Sequence, residues 1–258
     1  MAEPVGLSLD GGIAVLELNA PQTKNALSRA MLEKLDALLP QLSEDPACHA
    51  IVLTGAGGHF CAGGDLSGMK AERTLAYGRS RISLGHSVLR HLVGSGKPVI
   101  VAVEGYAAGA GLSLVAAADF SVAGQGAKFV ASFGKVGLVP DMGLLWTLPQ
   151  RTGLAYAKRL FFSGEVIDSD KALAHGLLDQ VVETGGALAA AKALAASFAA
   201  TAPLPKALVK AAFRRGVQSL DDALAFEIDN QAALYLTRDH REAVSAFFDK
   251  RTPIFTGD

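Results

Sequence analysis

The pattern of apolar and polar positions changes several times along the chain and predicts alternating strands and helices. Two apolar stretches, residues 7–9 and 13–18, are joined by Asp10, Gly11 and Gly12 and predict a β-hairpin. After Ser28, a typical helix N-cap, apolar residues recur at helical spacing: Met31, Leu32, Leu35, Leu38 and Leu39. A helix is therefore predicted there.

Two short apolar runs each end in a stretch of small residues. Residues 50–54 read as a buried strand that enters a glycine-rich loop over 55–65. Residues 99–103 read as a second buried strand, which opens into glycines and alanines over 105–111 and then a small-residue helix to residue 118. The same strand–loop–helix unit is thus predicted twice.

The rest of the chain begins with a loop and helices and is mainly helical from residue 169 onward. Residues 67–80 are polar and weakly periodic, which predicts a mobile loop before a helix that ends near residue 93. A helix is predicted over 143–162 with a break near Thr152 and Gly153, and from residue 169 onward a single strand over 178–182 interrupts helices. We divide this α/β chain into a core, residues 1–185, and a helical C-terminal region, residues 186–258.

Composition then excludes several classes of protein. The formal charge is −1, from 24 basic and 25 acidic residues, whereas a general nucleic-acid binder needs a basic face. Apolar residues make up 50% of the chain, too many for a disordered protein. Two cysteines exclude a disulfide scaffold and suit a reducing compartment. The N-terminus lacks a signal-peptide pattern and no apolar run reaches about 20 residues, so we expect a cytoplasmic protein without a membrane segment.

Glycine is in surplus, with 28 of 258 residues, and the two glycine-rich strand ends suggest a site. Small residues let a ligand approach the backbone, and a helix start presents unpaired N–H groups. Two such segments facing one cleft would aim two donors at one oxygen, forming an oxyanion hole. The residues alone also permit tight turns and close packing without any ligand.

Other chemistry has weaker support in the residues. Gly105, Gly109 and Gly111 follow a strand, as in a dinucleotide turn, but no acidic residue follows about 20 positions later. Metal-ligand spacing is absent, so no metal site is expected. Cys61 has no basic partner in the sequence pattern and reads as a small packed residue rather than a nucleophile.

Three motifs in order resemble the enoyl-CoA hydratase/isomerase (crotonase) superfamily. They are Phe60-Cys-Ala-Gly-Gly-Asp-Leu66, Gly105-Tyr-Ala-Ala-Gly-Ala-Gly111 with Asp119, and Gly137-Leu-Val-Pro-Asp141. The opening over residues 20–26 and the ending over 241–251 are similar as well, so the likeness covers essentially the whole chain. It implies a spiral of ββα units with a helical C-terminal trimerisation region, a homotrimer or hexamer, and an acyl-CoA thioester substrate with no separate cofactor.

The resemblance also implies roles for particular residues. The backbone N–H groups of Gly64 and Ala110 would form the oxyanion hole for the thioester. The residues expected to bind substrate are Asn25, Ala26, Ala62, Asp65, Leu66, Gly109, Phe133, Phe247 and Lys250. Of these, Phe247 and Lys250 would come from a neighbouring subunit.

Departures from the family pattern indicate the reaction. Hydratases of the family carry two Glu residues where this chain has Ser113 and Phe133. One carboxylate remains, Asp141, in a segment that resembles the ring-epoxide isomerases of phenylacetate breakdown. A single base suffices to move a proton along an enolate, so we expect an acyl-CoA isomerase with Asp141 as the base. The alternatives are a hydratase-like lyase, a non-catalytic acyl-CoA binder and, more remotely, a nicotinamide-dependent reductase.

Overall fold

The computed structural model describes residues 3–65 and 74–258, which form two sheets surrounded by helices. The strands are β1 Val5–Asp10, β2 Ile13–Leu18, β3 Ala50–Gly55, β4 Val99–Val103, β5 Tyr106–Ala108, β6 Phe120–Gly124, β7 Lys128–Val130, β8 Val166–Asp168 and β9 Gln180–Val182. The helices are α1 Arg29–Glu44, α2 Leu75–Gly94, α3 Ala110–Ala117, α4 Leu144–Thr152, α5 Leu154–Ser163, α6 Ser169–Ala174, α7 Ala187–Phe198, α8 Pro203–Arg215, α9 Leu220–Leu234 and α10 Arg238–Asp249.

The larger sheet places the two glycine-rich strand ends next to each other. Its order is β1-β2-β3-β4-β6-β9, with β1 and β2 antiparallel and every other pair parallel. The smaller sheet has the order β5-β7-β8. Because β3 and β4 are parallel neighbours, the loops that follow them leave the same edge of the sheet. This adjacency is what brings the two candidate loops together.

The predicted helix after Ser28 is confirmed, and it shows how the core is built. The Ser28 hydroxyl accepts a hydrogen bond from the Met31 amide, which caps α1. The apolar side of α1 then joins the main core, with all six of its buried residues: Met31, Leu32, Leu35, Leu38, Leu39 and Leu42. On the other sheet face, three alanines of α7, Ala187, Ala191 and Ala195, pack against β2, β3, β4 and β6. Small side chains let this helix lie close to the strands.

The expected loop over 67–80 is wrong at its C-terminal end. Helix α2 begins at Leu75, and the Thr74 hydroxyl caps it by accepting a hydrogen bond from the Tyr77 amide. Residues 66–73 lie outside the described residues. The break predicted near Thr152 and Gly153 is confirmed, since α4 ends and α5 begins there.

The last helices differ from the rest in how little they bury. Within the part of the chain that the structure describes, neither α8 nor α9 has a buried residue. The division at residue 185 stays a prediction.

In the described part of the chain, no single helix is long and apolar enough to cross a membrane. The bent pair α7 and α8 would together be long and apolar enough, on length and composition alone.

Candidate active site

Backbone hydrogen bonds join the two glycine-rich loops side by side. The Cys61 amide donates to the Tyr106 carbonyl oxygen and the Ala108 amide donates to the Cys61 carbonyl oxygen, both at 2.9 Å. These bonds form an isolated parallel bridge between Cys61 and Ala107. The loop after β3 therefore lies directly alongside β5, which is followed by α3.

Two glycines make this close approach possible. A Cβ atom on Gly63 would lie 2.9 Å from the Ala108 carbonyl oxygen and 3.7 Å from the Ala110 amide nitrogen, and the Gly63 φ of +104° disfavours any other residue. A Cβ atom on Gly111 would lie 2.4 Å from the Cys61 carbonyl oxygen. Any larger residue at either position would force the loops apart.

The amides of Gly64 and Ala110 are both left available by this arrangement. Gly64 forms a parallel bridge with Leu27, in which the bonds are made by the flanking Gly63 carbonyl and Asp65 amide. The Gly64 amide therefore points away from Leu27. Ala110 is the first residue of α3, where N–H groups have no intrahelical acceptor. Among the described residues, neither amide donates to another group.

Asp141 lies beside the first turn of α3. The Ser113 hydroxyl, one helical turn after Ala110, donates to the Asp141 carbonyl oxygen at 3.0 Å. On the other side, Gly85 of α2 is buried against Met142, because a Cβ atom there would lie 3.3 Å from the Met142 Cγ. Met142 itself has a φ of +48°, which is uncommon for a residue with a side chain. Contacts from two helices thus hold the segment that carries Asp141.

The carboxyl group of Asp141 is in a poorly solvated position. Its Oδ1 atom is buried and has no hydrogen-bond partner among the described residues. Burial raises the pKa of Asp141 above its ordinary value, and electrostatic interactions with His86 and Arg81 on α2 oppose that rise. An unpartnered buried carboxylate oxygen is costly for folding but is well suited to accept a proton.

Cys61 behaves as the sequence predicts. It is fully buried, and burial raises the pKa of its thiol to about 12. A thiol with this pKa is not a nucleophile near neutral pH.

In the described part of the chain, no cluster of three or more His, Cys, Asp or Glu residues is placed to hold a metal ion.

Three of the residues expected to bind substrate, Asn25, Ala26 and Ala62, lie close together, but Asn25 has a structural task. The Ala62 amide donates to the Lys24 carbonyl oxygen at 2.9 Å, which places exposed Ala62 beside Lys24, two residues before Ala26. Asn25 is completely buried; its amide donates to the carbonyl oxygens of Ala56 and His59 at 2.8 and 2.7 Å. Both Asn25 side-chain N–H groups are therefore used inside the protein, where they order the loop.

The other residues expected to bind substrate differ in where the structure places them. Gly109 lies against Phe133, since a Cβ atom on Gly109 would be 3.9 Å from the Phe133 Cζ, and the buried Phe133 ring therefore adjoins the second loop. No hydrogen bond, ion pair or ring contact among the described residues joins Phe247 or Lys250 to the loops. Leu66 lies outside the described residues.

Sequence reasoning missed the contribution of α2. Arg81 and His86 reach the site from this helix, whereas the sequence pattern assigned residues 67–80 to a loop and gave neither residue a role in the site. Gly85 was the available signal. A glycine inside a helix indicates close approach of another segment, which here is Met142.

Comparison with known proteins identifies the family of the chain. The family model described as enoyl-CoA hydratase/isomerase matches residues 8–258. The chain is 36% identical to the 1,2-epoxyphenylacetyl-CoA isomerase of Escherichia coli, with full coverage of both proteins. It is also 36% identical to the short-chain-enoyl-CoA hydratase of Clostridium acetobutylicum, over 95% of this chain and 94% of that protein.

Solved structures give the same result. An enoyl-CoA hydratase from Bacillus anthracis superposes with a TM-score of 0.94 at 29% identity, covering 99% of this chain and 100% of that one. An enoyl-CoA hydratase from Polaromonas superposes with a TM-score of 0.91 at 34% identity, covering 97% and 99%. The fold is the α/β crotonase fold, and the chain belongs to the enoyl-CoA hydratase/isomerase family. The relatives include both hydratases and an isomerase.

Proposed function

We propose that this member of the family is an acyl-CoA isomerase, in which Asp141 moves a proton along an enolate. The observation that carries the proposal is the buried Oδ1 of Asp141, which has no hydrogen-bond partner in the described ranges 3–65 and 74–258 and lies beside the segment that presents the Ala110 amide. The Gly64 and Ala110 amides would donate to the thioester oxygen, forming the oxyanion hole. The substrate, an acyl-CoA thioester, brings the coenzyme A, so no separate cofactor is required.

The proposed reaction needs one base and no added water. Asp141 removes a proton as a C–H bond breaks, and the electron pair delocalises onto the thioester oxygen, where the two amides stabilise the negative charge. The protonated Asp141 then returns the proton to a different carbon of the same system. The product is an isomer in which the double bond has moved, and Asp141 is again ionised.

Hydratases of the family carry Glu at two positions where this chain has other residues, and those residues favour isomerisation over hydration. The Ser113 hydroxyl donates to the Asp141 backbone, and Phe133 is a buried aromatic ring. Neither residue provides a carboxylate to position a water molecule. The same single base would serve to open a ring epoxide, and the similarity to the Escherichia coli isomerase supports phenylacetate breakdown as the metabolic setting.

An enoyl-CoA hydratase is the second candidate, because several similar proteins carry that name. A panel of a 3-enoyl-CoA, a 2-enoyl-CoA and an aromatic ring-epoxide thioester separates the two. Isomerisation of the first or third substrate without hydration of the second supports our proposal. Rapid hydration of the 2-enoyl-CoA would instead make this chain a hydratase.

Replacing the base tests the role of Asp141 directly. Asp141→Asn should lower isomerase turnover about a hundredfold to ten-thousandfold, the usual contribution of a general base. Binding of coenzyme A, measured by calorimetry, should be unchanged because the loops remain. The exposed Asp170 on α6 provides the matched control, and Asp170→Asn should keep wild-type turnover. A near wild-type rate for Asp141→Asn would refute the assignment.

A further inference from the structure

One arginine of α2 touches the loop that carries the proposed oxyanion donor. The Arg81 side chain is half-buried, and its Nη2 atom donates to the Asp65 carbonyl oxygen at 3.3 Å and to the Leu27 carbonyl oxygen at 3.4 Å. These two carbonyls belong to segments far apart in sequence. A single guanidinium group therefore links the start of α1 to the first glycine-rich loop.

The bridge that Arg81 supports sets the direction of the Gly64 amide. The Leu27 amide donates to the Gly63 carbonyl oxygen at 2.7 Å, and the Asp65 amide donates to the Leu27 carbonyl oxygen at 3.2 Å. The second bond is long, and it lies at the point where Arg81 adds its own donor to the same carbonyl. Because Gly64 lies between these two bonds, loosening either one rotates its amide.

Arg81 also lies directly against Gly64. A Cβ atom on Gly64 would be 3.3 Å from the Arg81 Nη2, so the guanidinium group packs on the Cα of the residue whose amide is the proposed donor. The positive charge of Arg81 acts on Asp141 as well. One side chain thus adjoins one proposed oxyanion donor and influences the proposed base.

We propose that Arg81 is a positioning residue for the reaction, which holds residues 63–65 against Leu27 so that the Gly64 amide keeps the direction needed to bind the thioester oxygen. This inference rests on the proposed acyl-CoA function. Its second effect is electrostatic. The charged or titratable groups that act on Asp141 among the described residues are Arg81 and His86, both on α2.

The electrostatic effect has a definite sign. A neighbouring cation favours the ionised carboxylate and lowers its pKa. Removing the cation raises the pKa of Asp141, so less of the base is ionised at a given acidic pH. The acidic limb of kcat/KM should therefore move to higher pH in Arg81→Met. His86 is the same residue in every variant, so a difference between the variants comes from residue 81 alone.

Two substitutions separate the hydrogen bonds from the charge. Arg81→Met removes both, and we expect kcat to fall about tenfold to a hundredfold with KM changed by less than about threefold, because a misplaced donor affects the transition state most. Arg81→Lys keeps the charge but lacks the planar fork of donors. We expect it to show an intermediate kcat and a wild-type acidic limb. Arg90→Met, an exposed position on the same helix, is the matched control and should change neither quantity.

A spectroscopic measurement makes the test independent of turnover. The carbonyl stretching frequency of bound butyryl-CoA, labelled with ¹³C at the thioester carbon, reports how strongly the two amides polarise the carbonyl. We expect the shift relative to free butyryl-CoA to shrink in Arg81→Met and to persist in Arg90→Met. Thermal unfolding of each variant shows whether it is folded under the assay conditions.

The outcomes are distinct. Wild-type kcat, acidic limb and carbonyl shift in Arg81→Met would overturn the positioning role. If the carbonyl shift depends on Arg81 but the wild-type protein isomerises no thioester on the panel, the proposed function fails and the role of Arg81 in carbonyl binding stands. If Arg81→Lys equals Arg81→Met in all three measurements, the electrostatic part of the proposal is wrong.

Discussion

At the scale of single residues, the most informative atom is the buried Oδ1 of Asp141. A buried polar atom without a partner opposes folding, since water is removed and no hydrogen bond replaces it. The burial that raises the pKa of Asp141 also means that the ionised side chain destabilises the folded state. Asp141, the residue best placed to take a proton, therefore lowers the stability of the fold. Such a trade-off between stability and activity is often found at active sites.

This balance predicts that Asp141→Asn is more stable than the wild type. The pKa of Asp141 is higher in the folded than in the unfolded protein, so the folded state binds more protons between the two values and loses stability as pH rises through that range. Asp141→Asn carries no charge and escapes this loss. Its melting temperature at pH 7 should exceed that of the wild type, and the difference should shrink as pH falls toward the ordinary pKa of aspartate.

The comparison is made by thermal unfolding at a series of pH values, with Asp170→Asn as the control. Asp170 is exposed and should show no such gain at neutral pH. A lower melting temperature for Asp141→Asn at pH 7, with no recovery on acidification, would contradict the assignment of a destabilising buried carboxylate.

At the scale of elements, helix α7 depends on a side chain from another element. Its N-cap residue is Gly186, which has no side chain to satisfy the first amides. The Glu104 carboxylate, just after β4, instead accepts hydrogen bonds from Gly185 and Ala187 at 3.0 and 3.1 Å. A negative charge at a helix N-terminus is also favourable for the helix dipole. Glu104 thus fastens the alanine-rich helix to the sheet.

Removing this cap should lower stability by a modest, measurable amount. Glu104→Ala should cost about 1 kcal/mol, the usual value of a lost N-cap, and lower the melting temperature by about 2–4 °C. Glu104→Gln keeps an acceptor oxygen, so it should lose less than half of the stability that Glu104→Ala loses. Chemical denaturation of both variants provides the measurement, and equal stability of wild type and Glu104→Ala would show that α7 does not need the cap.

At the scale of the whole molecule, the C-terminal helices have an apolar surface that the described part of the chain does not cover. Within residues 3–65 and 74–258, helices α8 and α9 bury no residue. Their exposed apolar side chains include Val209, Phe213, Leu220, Leu224 and Ile228. Exposed apolar patches of this extent are typical of surfaces that associate. This is consistent with the homotrimer that the family resemblance implies, and it stays a prediction.

Light scattering tests the assembly. The wild type should have about three times the chain mass, or six times if two trimers pair. Ile228, 71% exposed on α9, is a suitable site to disrupt the surface, and Ile228→Asp should shift the protein toward smaller species. Leu9→Asp, an equally drastic change on β1 outside these helices, should keep the wild-type mass. A monomeric wild type would refute the trimer.

Prediction from the pattern worked best where the physical cause is local. The hairpin, the Ser28-capped helix and the break at Gly153 follow from turn residues, caps and apolar spacing that lie within a few positions of one another. The start of α2 was missed because its first turns are mostly exposed, and among the described residues the helix buries none before Gly85, so no apolar period marks its beginning. The three-residue strand β8 was missed because its pairing with β7 is a long-range property.

For the candidate site too, some features can be read from the sequence and others cannot. Glycines after two buried strands, and one Asp after a Val-Pro pair, are visible in the sequence because each needs a particular local residue type. Sequence therefore determined the family resemblance, the α/β class and which backbone amides and carboxylate to consider. Only the tertiary structure could show that Asn25 uses its amide inside the protein, that Arg81 spans two distant carbonyls and that the Asp141 oxygen is buried. Such facts depend on burial and on contacts between distant segments, and a one-dimensional pattern contains neither.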